Sequence, residues 1–181
     1  MEPNEVSELH EHAEHAKHNP ALLPVTVSMS VLAVLVAVIS LLGHRAHTEE
    51  VLLQSKVNDD WAYYQAKSIR RNSYELFRDL ISIASVKDES QSAKLKEKYD
   101  KEIERYVEQQ KELKDEAEHR QAEVTIVARR ANRFDLAEVF LEAALVITSL
   151  TLLTGKRAFF GLGALLAVAG LVVAASSLLV H

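Results

Sequence analysis

Two long stretches of this chain carry no charged side chain, and they fix its organisation before anything else does. Residues 21–43 read ALLPVTVSMSVLAVLVAVISLLG, and residues 158–180 read AFFGLGALLAVAGLVVAASSLLV. A hydrocarbon layer of ~30 Å needs ~20 helical residues, so each stretch predicts a membrane-spanning helix. A third, residues 134–153 (FDLAEVFLEAALVITSLTLL), is long and apolar enough but includes Asp135, Glu138 and Glu142. Residues 154–157 (TGKR) join it to the last span, which makes an antiparallel membrane hairpin. The predicted fold class is an all-α membrane protein with three transmembrane helices.

Between the first and second spans lies a charged insert, residues 44–133, with its own symmetry. One helix is expected over residues 44–85 and another over 92–133, with a turn at 86–91 (VKDESQ). Each arm has about forty residues and would span ~60 Å at ~1.5 Å per residue. Equal arms suit an antiparallel hairpin that leaves the bilayer and returns. In the second arm Tyr99, Ile103, Tyr106, Gln110, Leu113, Ala117, Arg120, Val124, Val127, Ala131 and Phe134 follow alternating steps of four and three. That is a coiled-coil seam with polar interruptions. The first arm keeps the rhythm with smaller residues: Leu52, Ser55, Asp59, Ala62, Ala66, Ile69, Ser73, Leu76, Leu80 and Ile83. The expectation is that these two stripes face each other. Trp61, Tyr64 and Phe77 are then left over as packing anchors for another surface, which favours a homo-oligomer.

Small residues stripe two of the spans: Thr26, Ser30, Ala33, Ala37 and Ser40 on the first, Gly163, Ala167, Gly170, Ala174 and Ser177 on the third. Lipid supplies no apolar driving force for helix association, so close contact between small faces must do so. Helix one is expected against helix three, leaving helix two free for neighbouring subunits.

The membrane carboxylates are the candidate chemistry. A charge near mid-membrane costs at least ~2.5–3.5 kcal/mol on insertion scales, so it needs a partner, a wet cavity or a proton. The coiled-coil rhythm continues as Glu138, Leu141, Leu145, Thr148 and Leu152, with Glu142 one turn beyond Glu138. Around an oligomer axis, Glu138, Glu142 and Thr148 would form a possible pore or ion site of stacked acidic rings. Alternatively, Glu138 reaches the interface and pairs with His44 or Arg45, and Glu142 bonds Ser40 or keeps its proton. Arg45, Arg129, Arg130 and Arg133 form a basic collar suited to anionic lipid headgroups.

Composition narrows the rest. The chain has 181 residues, a net charge of −5, 26% charged residues and no cysteine. Disulfides, thiolate catalysis and Cys-ligated metals are excluded, and the scattered basic residues give no nucleic-acid footprint. His12, His15 and His18 recur at helical spacing in the polar segment 1–20, where a divalent cation could bridge two of them. The more ordinary alternative is a solvated helix, and no cofactor is expected. No phosphate loop, nucleophile elbow or HExxH occurs, so an enzyme is not expected.

The block Trp61-Ala62-Tyr63-Tyr64-Gln65-Ala66-Lys67-Ser68-Ile69, preceded by Leu52-Leu53-Gln54-Ser55-Lys56, resembles an uncharacterised bacterial family of small three-pass membrane proteins, a domain of unknown function. The resemblance implies a bacterial source and an inner-membrane location, and it brings no functional residues. Lys and Arg at the ends of the insert then place the helical pair in the cytoplasm. Two functions remain open. One is an oligomeric assembly that conducts or senses cations; the other is a membrane-anchored coiled-coil scaffold that binds protein partners.

Overall fold

A computed structural model describes residues 22–83 and 89–179, and it is helical through nearly all of them. Helix α1 is Leu23–Ile83, α2 is Glu89–Thr154 and α3 is Arg157–Ser177. No strand occurs among the described residues. The polar segment with His12, His15 and His18 lies outside them, as does the first half of the predicted turn, residues 86–88. Glu89, Ser90 and Gln91, expected in that turn, instead open α2. Nothing in these residues breaks a helix, and Glu89 in the first turn suits the helix dipole. Helices α1 and α2 each pass from apolar to charged sequence without interruption. Gly155, at φ 67°, supplies the left-handed residue that ends α2, and its amide bonds the Thr151 carbonyl at 2.9 Å.

The chain divides into two compact units. The first joins the residues up to Glu50 with those from Ile126 onward. Its core takes Leu32, Ile39 and Ala46 from α1, Ala131, Phe134, Ala137, Leu141 and Ala144 from α2, and Ala174 from α3. Helix α2 is therefore the centre of this unit, not the free helix that the small-residue stripes suggested. The stripe on α3 does face inward, with Gly163, Gly170, Ala174 and Ser177 buried. It meets α2: a Cβ on Gly163 would overlap Thr148 Oγ1 and lie 3.1 Å from the Ala144 carbonyl, and one on Gly170 would meet Leu141 Cγ at 3.0 Å. Of the stripe on α1 only Ala33 is buried; Ser30 and Ala37 are exposed, and the inner face is made mainly by Val25, Met29, Leu32 and Ile39. The close approach is made instead between α2 and α3, where the Ala137 and Ala144 carbonyls lie against Gly170 and Gly163, while α1 contributes Leu32, Ile39 and Ala46 to the shared core. The hydroxyls of Thr26, Ser28 and Ser30 bond carbonyls one turn back in α1 and need no partner helix.

The second unit is Val51–Thr125, an α1 segment paired with an α2 segment. On α2 the predicted seam turns inward: Tyr106, Gln110, Ala117 and Val124 are buried, and Tyr99, Ile103, Leu113 and Arg120 are half-buried. On α1 the predicted stripe turns outward, and every member from Leu52 to Ile83 is exposed. The inner face of α1 instead carries Val57, Asp60, Trp61, Tyr64, Lys67, Arg71, Tyr74 and Arg78. Polar groups on the α2 seam decide this choice, because buried polar atoms must find partners. Asp60 accepts from Arg120 at 2.9 Å, Arg71 donates to Gln110 at 2.8 Å, and Lys67 donates to Gln109 at 3.0 Å. Tyr74 stacks on Tyr106 with ring centroids 5.7 Å apart. The aliphatic stripe offers none of these bonds.

Candidate functional site

Where the apolar stretches of α1 and α2 give way to charge, His47 is the central side chain. It follows Gly43, the end of the first uncharged stretch, by about one helical turn. Its Nε2 lies 2.9 Å from an Asp135 oxygen, and its Nδ1 lies 3.4 Å from Glu50. Both carboxylates favour the protonated ring, the hydrogen bond it donates to Asp135 above all, and they raise the His47 pKa above its ordinary 6.5. The half-exposed ring ties α1 to α2 across the unit. Each carboxylate occupies a different ring nitrogen, so the three do not converge on one point. Among the described residues no group of His, Asp or Glu is arranged to hold a metal ion.

Arg133 lies two residues before Asp135 on α2. Its guanidinium donates to the Ser176 carbonyl at 2.6 Å, beside the Leu179 amide that bonds the same oxygen at 3.2 Å, and so ties α2 to the end of α3. Of the predicted headgroup contacts, Arg45 and Arg129 are exposed and Arg130 is half-buried.

The predicted ion-site residues do not share a face. Thr148 is 1% exposed and lies against Gly163 of α3. Glu138 is half-buried and Glu142 is exposed. Six residues at ~100° each separate Thr148 from Glu142 by about two-thirds of a turn, so one helix cannot aim both at one axis. Neither glutamate has an ion pair or hydrogen bond among the described residues. His44, a suggested partner, bonds the Ser40 carbonyl of its own helix at 2.8 Å. An open cleft of about 290 Å³ between α1 and α3 has Ser28 and Thr148 as its hydroxyls and otherwise apolar walls. It holds no carboxylate.

The aromatic anchors are divided. Trp61 and Tyr64 are half-buried on the inner face of α1 and meet edge to face at 5.6 Å. Phe77 is 51% exposed, with its ring 6.2 Å from that of Tyr99. Sequence inspection missed the Asp135–His47 pair. A trace was there: His47 and Glu50 stand at i,i+3, and Asp135 follows the last Arg of the collar by two residues.

Nothing among curated proteins or solved structures matches this chain. One family model does, over residues 22–180, and it covers all three helices and both units. The chain therefore belongs to the family described as Domain of unknown function (DUF4337).

Proposed function

We propose that this protein is a three-pass membrane scaffold of the bacterial inner membrane, whose charged helical pair is its assembly surface. The observation that carries the reading is the apolar outer surface of the first unit. Its helices α2 and α3 meet closely at Ala144, Gly163 and Gly170, and a broad set of large apolar side chains points outward. Val31, Val34, Val139, Val146, Leu165 and Val172 are each 54–65% exposed. Water penalises such a surface, whereas lipid accepts it and rewards close backbone contact. All three helices are long and apolar enough to cross a membrane by length and composition. Three crossings put both ends of the insert on one side, and the basic collar argues for the cytoplasm. With Thr148 taken up by α3, the lining expected of a pore loses one of its three members. Alkaline extraction is the test: the chain stays in the membrane pellet, and release into the supernatant would end the anchoring.

A second reading, a cation or proton site, rests on one residue. Glu142 is exposed on the same outer face as Val139 and Val146, where a carboxylate in lipid requires a proton, a cation or a neighbouring chain. Purified protein in proteoliposomes decides between the two. Cation flux that disappears in Glu138→Gln/Glu142→Gln supports conduction; wild-type protein without flux leaves the scaffold alone.

A further inference from the structure

The second unit buries Val57, Tyr106, Ala117 and Val124 together with several bonded polar groups, yet it leaves one aliphatic stripe of α1 in the open. Asp60, Arg71, Gln110 and Arg120 bond one another between the helices. Outside, Leu52, Ile69, Leu76 and Leu80 are 60, 67, 59 and 46% exposed. These four belong to the unbroken three-four rhythm from Leu52 to Ile83, so they form a straight seam and not scattered apolar surface.

From this seam we infer that α1 pairs with α1 of a second copy of the chain, parallel and in register, over Leu52–Ile83. The period selects a helix with the same repeat, and a second copy has it by construction. Charge at the flanks selects the direction. One flank carries Lys56, Tyr63, Arg70 and Phe77, and the other carries Asn58, Gln65, Asn72 and Asp79. In a parallel pair each residue of the second flank meets the residue five further on in the partner. Asn58 then meets Tyr63, Gln65 meets Arg70 and Asn72 meets Phe77, with no like charges opposed. An antiparallel pair would set the Lys56–Arg70 flank against its own copy. Parallel pairing is also what two chains anchored in one bilayer with one topology impose; this clause rests on the anchoring proposed above, whereas the seam does not. Asp59 is the costly position, because its carboxylate meets its own copy on the seam.

The chain has no cysteine, so single cysteines report the contact cleanly. In membranes carrying the full-length protein, Ala62→Cys, Ala66→Cys, Ser73→Cys and Leu80→Cys each form a disulfide-linked dimer under mild oxidation. Glu118→Cys, at an exposed position on α2, does not. In-register parallel helices bring every seam residue against its own copy, whereas antiparallel helices do so at only one level. Cross-linking at one seam position only, at none, or equally at Glu118→Cys overturns the inference. Asp59→Asn raises the cross-linked fraction at Ala62→Cys about twofold or more, and Ile69→Asp/Leu76→Asp abolishes cross-linking at Ser73→Cys. Should the double variant fail to fold, the conservative Ser73→Cys and Ala62→Cys chains still decide the question. Alkaline extraction of the same membranes keeps the two proposals apart: a chain released by alkali that cross-links along the whole seam supports the pairing and ends the anchoring.

Discussion

Gly163 and Gly170 set how closely α3 approaches α2, and the space at Gly163 is filled by Thr148 Oγ1 and the Ala144 carbonyl. Gly163→Ala forces these apart, and overpacking of this kind costs roughly 1–3 kcal/mol. Thermal unfolding in detergent, followed by helicity, shows a lowered midpoint for Gly163→Ala. Adding Thr148→Ala restores part of it, because the hydroxyl contact is relieved while the backbone contact remains. At His47 the prediction concerns pH. Its pKa is raised by Asp135 and then Glu50, so the folded form holds its proton more tightly than the unfolded one. The stabilisation is complete below the ordinary value of 6.5 and fades as pH rises through the higher folded value. The ring is exposed, and such pairs couple by about 0.2–1 kcal/mol. Unfolding midpoints of wild type and Asp135→Asn therefore differ at pH 6 and converge by pH 9; a constant difference would remove His47 as the cause.

Element by element, the paired stretches of α1 and α2 join buried Val57, Tyr106, Ala117 and Val124 to a set of polar links that cross between the helices. Asp60 and Arg120, with side chains 16% and 31% exposed, form the best-buried ion pair between the helices. Removing Asp60 leaves a half-buried guanidinium with only Glu116 of its own helix. Losing a hydrogen bond to a charged group costs about 1.5–3 kcal/mol. Asp60→Ala therefore lowers urea resistance by about that amount, and Asp60→Ala/Arg120→Met recovers part of the loss. The two-faced character of α1 explains why periodicity alone misplaced it. Leu52, Ile69, Leu76 and Leu80 give the stronger apolar signal, yet Gln110 and Arg120 on α2 accept only a face that can bond them. In the neighbouring apolar stretches it is α2, through Ala137, Leu141, Ala144 and Thr148, that lies beside the glycines of α3.

For the molecule as a whole, the two units present different surfaces. One exposes valine and leucine around an apolar core, and the other carries charge and an exposed aliphatic stripe around its bonded polar groups. If the first lies in lipid and the second in cytoplasm, a protease added to intact inner-membrane spheroplasts spares the helical pair, and one added to inverted vesicles cleaves within Val51–Thr125 first. Cleavage of that segment from the outside would reverse the orientation.

The all-helical character was legible from sequence, because charge-free runs and unbroken helical periods are properties of the chain itself. So was the inward seam of α2, where Tyr106, Gln110, Ala117 and Val124 are all buried. What sequence left open was which face meets which. Thr148 turning to Gly163, Asp135 reaching His47, and the aliphatic stripe of α1 facing out each depend on a partner on another helix. A helical period gives a face its composition, but only the packed neighbour, through its hollows and its unsatisfied polar groups, determines whether that face is covered.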